Sequence, residues 1–224
     1  MTQPLYTLHM TPDSAAMIVR MALRLTDAAF AERLIDRAAG ELDWPAYRAM
    51  QPLGKIPAIQ TPDGPMFETA AILLYLADRH PGLAPAPDSP ARAAFLKWFF
   101  FTSTNLHPTL LQVFFPERTA GAACADAVRS HAAARLRDYL TLLDQMVARD
   151  APDWLSAKPS VFGYYLATLI RWLAGFAPDH PGHMRSAEFP SLHAVLAALE
   201  ASPAARAVAE LESLGPTIFT NPSY

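Results

Sequence analysis

The chain has 224 residues, of which 52% are apolar, and this is enough material for a substantial core in one large domain or two small ones. Lys and Arg number 18 against 21 Asp and Glu, so the net charge of -3 and the lack of any basic run argue against a nucleic-acid partner. A single cysteine, Cys124, excludes intrachain disulfides and a cysteine-based zinc site, and we expect no metal.

The first 80 residues alternate between strand and helix patterns. Short apolar segments predict strands at residues 5–9, 30–35, 57–60 and around 66–67, while apolar residues at helical spacing predict helices over 15–25, 43–50 and 68–79. The turn at 61–64 has proline second and glycine fourth, which suits a type I turn. This order of elements indicates a small α/β domain.

Four prolines within residues 81–90 prevent regular structure and mark a boundary. Beyond it, segments rich in Ala and Leu predict helices at 91–115, 122–148, 161–174, 191–201 and 204–211. Pro108 falls inside the first of these, so that helix should kink near His107 or be two helices. The prediction is therefore an α/β domain at 1–80, a linker at 81–90 and an all-helical domain at 91–224.

The start of the chain and its apolar segments bear on location. No window approaches the roughly 18 uninterrupted apolar residues of a membrane span, and residues 1–4 lack the regions of a signal peptide. We expect a cytoplasmic protein with no membrane partner.

The segment QPLGKIPAI at 51–59, Glu68-Thr69 and the run NLHP at 105–108 together resemble the cytosolic glutathione transferases, in particular the bacterial serine-type members, beta- or zeta-like. The resemblance implies a thioredoxin-like N-terminal domain that binds glutathione and an all-α C-terminal domain that supplies most of a second-substrate pocket. It also implies glutathione as co-substrate, a small hydrophobic electrophile and a homodimer, with the contact around Ala70, Ala71, Leu74 and the first long helix.

Two segments are the candidate glutathione site. X-Pro is the peptide bond whose cis form is cheap, so a cis Ile56-Pro57 bond could turn the Ile56 backbone toward a ligand, and in the family that backbone pairs with the cysteinyl part of glutathione. Lys55 could reach the glycyl carboxylate, although a solvated lysine is the alternative. Glu68 and Thr69 stand where a strand meets a helix, and the Thr69 hydroxyl with the free N–H groups of the first turn suits the γ-glutamyl carboxylate.

Catalysis needs glutathione as a thiolate, because the thiol is a poor nucleophile with a pKa near 8.5. A hydroxyl between the first strand and first helix can stabilise the sulfur, and two candidates stand there, Thr11 and Ser14. In the family the Thr11 position is usually serine. Threonine donates the same bond but its β-branch restricts the rotamer, so Ser14 stays an alternative, and either residue or Asp13 could instead cap the helix.

The helical half contributes candidate pocket residues. His107 resembles a bacterial histidine that faces the glutathione sulfur, with a helix-kink histidine as the alternative. Phe101 and Phe114 could line the second-substrate pocket, although aromatic residues at helical spacing more often pack in a core. The family's capping box before the sixth helix is reduced to Ser160, because Gly163 replaces the acid.

The leading hypothesis is a glutathione transferase that joins the glutathione thiolate to a small hydrophobic electrophile. One alternative is a glutathione-dependent isomerase of an unsaturated diacid, like maleylacetoacetate isomerase, although its Ser-Ser-Cys loop differs from residues 11–14. The other alternative is a non-catalytic, glutathione-binding regulatory protein that keeps only the fold.

Overall fold

A four-stranded sheet organises the first part of the chain. The computed structural model describes residues 4–224. Residues 1–3, where we expect no signal peptide, lie outside the described residues. The strands are β1 (Tyr6–Met10), β2 (Phe30–Leu34), β3 (Ala58–Thr61) and β4 (Gly64–Phe67), in the order β2-β1-β3-β4. β1 runs parallel to β2 and antiparallel to β3, which runs antiparallel to β4. This is the predicted thioredoxin-like sheet.

Helix α1 (Ala16–Leu23) is the central helix of this half, and all eight of its residues are buried. It packs against α3 (Thr69–Arg79) and also against two helices of the second half, α8 (Val161–Ala174) and α10 (Pro203–Leu211). Its apolar side chains therefore have partners all round, as expected for a helix inside a core. The short helix α2 (Pro45–Arg48) precedes β3. The loop before α1 is consequently held between the two halves.

The remainder of the chain is helical, as predicted. Besides α8 and α10 its helices are α4 (Arg92–Phe101), α5 (His107–Phe114), α6 (Glu117–Ala120), α7 (Ala125–Asp150) and α9 (Pro190–Glu200). A π-helical segment at 102–106 joins α4 to α5. Because Pro108 lacks an N–H, the α-helical pattern cannot continue unchanged through this point, and the wider turn takes the place of a break.

The start of α8 is capped by Ser160, and Gly163 lies close to a neighbouring helix. Ser160 Oγ accepts a hydrogen bond from the Gly163 N–H at 3.0 Å and donates one to the Trp154 carbonyl at 2.7 Å. A Cβ at Gly163 would lie 3.0 Å from Leu199 Cδ1 on α9. Because Gly163 has no side chain, α8 and α9 can approach each other closely at this point.

The helices fall short of what a membrane span requires. Among residues 4–224, none is both long enough and apolar enough to cross a bilayer.

Candidate functional site

The loop between β1 and α1 separates the roles of its two hydroxyls. Ser14 Oγ donates to the Thr11 carbonyl at 2.6 Å and accepts from the Ala16 N–H at 3.2 Å, so it is engaged at the start of α1. Thr11 is buried, and within residues 4–224 its hydroxyl makes no hydrogen bond, although solvent reaches the oxygen. Thr11 thus carries the hydroxyl that is free to donate to a ligand.

The segment before β3 presents an unpaired stretch of backbone. The Ile56-Pro57 bond is cis, as predicted. Tyr47, whose pKa burial raises to about 12, donates its hydroxyl proton to the Lys55 carbonyl at 2.6 Å and fixes the segment. In the described part of the chain, neither the N–H nor the carbonyl of Ile56 has a backbone partner. Ile56 can therefore pair with an extended peptide, as an edge strand does.

Gly54 gives this segment its turn. Its φ is +60°, and a Cβ there would lie 2.8 Å from the guanidinium carbon of Arg48. Only glycine fits both conditions without a shift of Arg48, which itself bonds the Pro52 carbonyl at 2.7 Å. The next residue, Lys55, is exposed and forms no ion pair with any described residue.

The junction of β4 and α3 offers hydrogen-bond donors. Glu68 is exposed and has a φ of +70°, a backbone conformation that is rare outside glycine and is often found at functional sites. Thr69 is buried at the first position of α3, and among residues 4–224 its hydroxyl has no partner. The first intrahelical bond runs from the Ile72 N–H to the Glu68 carbonyl, which leaves the preceding N–H groups open. This helix end suits a carboxylate.

His107 stands across from these two segments and is bonded to Tyr165. The distance between His107 Nδ1 and the Tyr165 hydroxyl is 2.9 Å, and Tyr165 is only 1% exposed. Burial raises the pKa of Tyr165. The imidazole and the phenol share one hydrogen bond, and the tautomer of His107 decides which of the two donates.

The environment of His107 keeps the ring neutral. Burial, aided by the positive charge of Lys55, lowers the pKa of His107 to about 4. Lys55 thus lies within electrostatic range of His107, and the negative charge of Glu68 likewise acts on Tyr165. These influences cross from the sheet half to the helical half, so Lys55 and Glu68 lie on the side of the sheet half that is near His107 and Tyr165.

A row of apolar and aromatic side chains, which we call the trough, continues from His107 along α5 and the end of α8. His107, Leu111 and Phe114 follow one another at i, i+4 and i+7 on α5 and therefore share a face. Trp172 lies 6.3 Å from His107, and Phe176 lies 4.6 Å from Phe114, measured between ring centroids. Leu111 and Phe114 are 41% and 37% exposed. An apolar surface of this kind suits contact with an uncharged apolar molecule.

Phe101 packs against other aromatic residues of the helical half. Its ring contacts Trp98 at 5.5 Å and Tyr139 at 5.2 Å, in edge-to-face geometry. These contacts are with α4 and α7, so Phe101 packs between helices, while the structure brings His107 and Phe114 to the trough.

Sequence reasoning missed the residue that joins the loop to the trough. The Asp13 carboxylate accepts from Arg171 Nε at 3.2 Å and Nη2 at 3.1 Å, and from Trp172 Nε1 at 3.1 Å. Asp13 therefore does not cap α1. The available signal was Arg171 itself, because an arginine inside the apolar pattern of 161–174 requires a buried acidic partner.

The sequence and the fold of this chain are similar to those of known proteins. A family model described as the N-terminal domain of glutathione S-transferase matches residues 8–85. Glutathione S-transferase GST-4.5 of Xanthomonas campestris is 28% identical over 172 residues, covering 74% of this chain and 81% of that protein. A sphingomonad glutathione S-transferase solved with glutathione has a TM-score of 0.74 and 28% identity, covering 93% of this chain and 100% of that one. Residues 8–85 therefore match the N-terminal domain of the glutathione S-transferases, and the whole chain is similar in fold to a solved member of that family.

A more limited match points to one other activity among relatives. Maleylacetoacetate isomerase of Pseudomonas aeruginosa is 33% identical over 91 residues, which is 40% of this chain and 43% of the isomerase. This chain combines a threonine at the loop after β1 with an acid, Asp13, that reaches into the helical half.

Proposed function

We propose that this protein conjugates the thiolate of glutathione to a small hydrophobic electrophile and that the Thr11 hydroxyl stabilises the sulfur. The observation that carries the proposal is the free, buried hydroxyl of Thr11 on a loop between an open backbone segment and an apolar trough. The two hydrogen bonds that Ser14 Oγ makes within the loop support Thr11 over Ser14 for this role. A detoxification role follows from this chemistry.

Glutathione would extend along the sheet half. The cysteinyl backbone pairs with the N–H and carbonyl of Ile56 beside Pro57, and Lys55 faces the glycyl carboxylate. The γ-glutamyl carboxylate accepts from Thr69 and the first turn of α3, while Glu68 faces the adjacent ammonium group. Each charged end of the tripeptide thereby meets an opposite charge or a helix N-terminus.

No helix or strand occurs between Arg79 and Arg92 in the described chain, and we keep 1–80 as the glutathione domain, 81–90 as linker and 91–224 as helical domain.

Ionisation of the thiol needs a limited amount of energy. Lowering its pKa by about two units requires about 2.7 kcal/mol. One hydrogen bond from Thr11 to the charged sulfur supplies about 1.5–3 kcal/mol. The positive charge of Lys55, which is exposed in the same sheet half, acts in the same direction. Thr11 with Lys55 is therefore sufficient, and no metal is needed.

The trough favours an uncharged second substrate. A diacid substrate would need a free cation at this wall, but Arg171 is 0% exposed and already paired with Asp13. The loop at 11–14 also has no cysteine. Conjugation of an apolar electrophile thus fits better than isomerisation of an unsaturated diacid.

A homodimer is the proposed assembly. Phe67 on β4 and Phe100 on α4 are 37% and 46% exposed, although both are large and apolar. They lie on the elements that flank Leu74 of α3, where the sequence predicts the contact. Covering these rings with a second copy would remove apolar surface from water. We place the dimer in the cytoplasm, where glutathione is the main thiol.

Calorimetry with glutathione, followed by turnover of chlorodinitrobenzene, tests the proposal. We expect heat of binding and glutathione-dependent loss of chloride from the aryl ring. Binding without turnover would favour a regulatory glutathione-binding protein, and no binding would contradict the proposed function.

A further inference from the structure

Asp13 has an unusual backbone conformation and an unusual number of partners. Its φ is +43°, which a residue with a side chain adopts only when its surroundings compensate for the cost. Its carboxylate accepts three hydrogen bonds, from Arg171 and Trp172, and its own N–H donates to Glu212 Oε2 at 2.6 Å. Both ends of the residue are therefore fixed by the helical half of the chain.

The C-terminal segment holds these partners in place. Arg171 Nη1 donates to the Ile218 carbonyl at 3.1 Å, and the Tyr224 hydroxyl donates to the Arg171 carbonyl. The Arg171 guanidinium also lies over the Tyr224 ring, 4.7 Å from its centroid. Arg171 consequently cannot leave Asp13 without disturbing residues 218–224.

Glu212 anchors the loop from the opposite side. Its second carboxylate oxygen bonds Arg20 of α1 at 2.9 Å, and Arg20 in turn pairs with Glu32 of β2. The Glu212 side chain is 1% exposed. The loop after β1 is thereby tied to α1, to the sheet and to the segment after α10 together.

We infer that Asp13 is a positioning residue that fixes the loop carrying Thr11 and the Trp172 wall of the trough as one unit. The inference rests on the proposed function, because it assumes that Thr11 donates to the glutathione sulfur. Thr11 lies two residues before Asp13, and a hydrogen bond weakens steeply when its angle or distance departs from the optimum. Trp172, which lines the trough beside His107, is held by the same carboxylate.

Asp13 has two partners, Arg171 and Trp172, and separate substitutions can test its effect on the Thr11 loop and on the Trp172 wall. Asp13→Asn keeps the size and tolerates positive φ, but it removes the charge that holds Arg171. Trp172→Phe removes the indole N–H together with one of the two fused rings, and it keeps an aromatic ring at the wall. Glu188→Gln is the matched control, because it breaks an ion pair with Arg137 at 2.6 Å that lies on the exposed surface.

The test measures the pKa of the bound glutathione thiol, by ultraviolet absorbance of the thiolate, and the kinetics of each variant. For Asp13→Asn we expect the thiol pKa to rise by about one unit and kcat to fall about tenfold. For Trp172→Phe we expect KM for the electrophile to rise severalfold with the thiol pKa unchanged. Glu188→Gln should match the wild type in both.

The outcomes distinguish the inference from the function on which it rests. If the wild type itself forms no thiolate with glutathione, the proposed function fails. If the wild type forms it and Asp13→Asn has the same thiol pKa and kcat per folded molecule, with only a lower unfolding midpoint, Asp13 is merely structural and the inference is overturned. Should Asp13→Asn not fold, Trp172→Phe with unchanged KM contradicts the inference.

Discussion

Ser14 Oγ donates its proton to the Thr11 backbone carbonyl at 2.6 Å. The side-chain hydroxyl of Thr11 takes no part in this bond and stays free to donate to a ligand. Thr11→Val removes that free hydroxyl and preserves the shape of the side chain. We expect kcat with chlorodinitrobenzene to fall about 10- to 100-fold, because a hydrogen bond to a charged group is lost. The protein should unfold at nearly the wild-type temperature.

Ser14→Ala should give the opposite pattern. The substitution removes the hydroxyl that bonds the Ala16 N–H at the start of α1, which costs about 1 kcal/mol of stability. Turnover per folded molecule should remain within a few-fold of the wild type. Urea unfolding and steady-state kinetics on both variants check this, and greater loss of turnover in Ser14→Ala than in Thr11→Val would contradict the assignment.

Thr69→Val should weaken glutathione binding. The hydroxyl has no partner among residues 4–224, so its removal leaves the rest of α3 undisturbed while a bond to the γ-glutamyl carboxylate disappears. We expect Kd to rise about 10- to 100-fold by calorimetry. Thr141→Val is the control, because that hydroxyl bonds the Arg137 carbonyl on the exposed side of α7. Equal affinities in the two variants would show that Thr69 contacts no ligand.

The buried His107 should make stability depend on pH. Its folded pKa of about 4 lies below the unfolded value near 6.5, so between these values the unfolded chain binds the extra proton and stability is lost as pH falls. From pH 7 to pH 5 this loss amounts to about 2 kcal/mol. His107→Asn, whose side-chain oxygen can accept from Tyr165, should lose correspondingly less.

Urea unfolding of both proteins at the two pH values isolates the contribution of His107. The pKa values of His9, His80 and His180 are also lowered by burial, but these residues are common to both proteins and cancel in the comparison. An identical pH dependence in wild type and His107→Asn would show that the ring is not held neutral.

Gly163→Ala should destabilise the helical half. The added Cβ would lie 3.0 Å from Leu199 Cδ1, and overpacking of this kind costs about 1–3 kcal/mol. Leu199→Ala in the same chain should relieve the contact, so the double variant should be more stable than the sum of the two single changes predicts. Strict additivity in thermal unfolding would contradict the close approach of α8 and α9.

Much of the fold was accessible from the sequence because its signals are local. The helix predicted at 161–174 has the observed bounds. The bond before Pro57 is cis and Thr69 begins a helix, as the local sequence predicts. Strand ends moved by one residue at β1 and β3, since pairing with neighbouring strands decides which residues join the sheet. The sequence predicts a kink or a break near His107, and the structure has a π-helical segment at 102–106 instead of a break.

The rest of the site depends on contacts between residues far apart in the chain. Asp13 meets Arg171 across 158 positions, and no local pattern identifies which acid an internal arginine will find. The trough requires His107 to lie beside Trp172 and Phe114 beside Phe176, and these pairs are far apart in the chain. The choice between Thr11 and Ser14 likewise rests on the direction of one hydrogen bond.

A crystal structure with glutathione bound is the most direct test of the central claim. We expect the sulfur about 3 Å from Thr11 Oγ1, the cysteinyl backbone paired with Ile56 and the γ-glutamyl carboxylate at Thr69. A sulfur that lies nearer to Ser14 Oγ, or a tripeptide bound away from the cis-proline segment, would contradict the account.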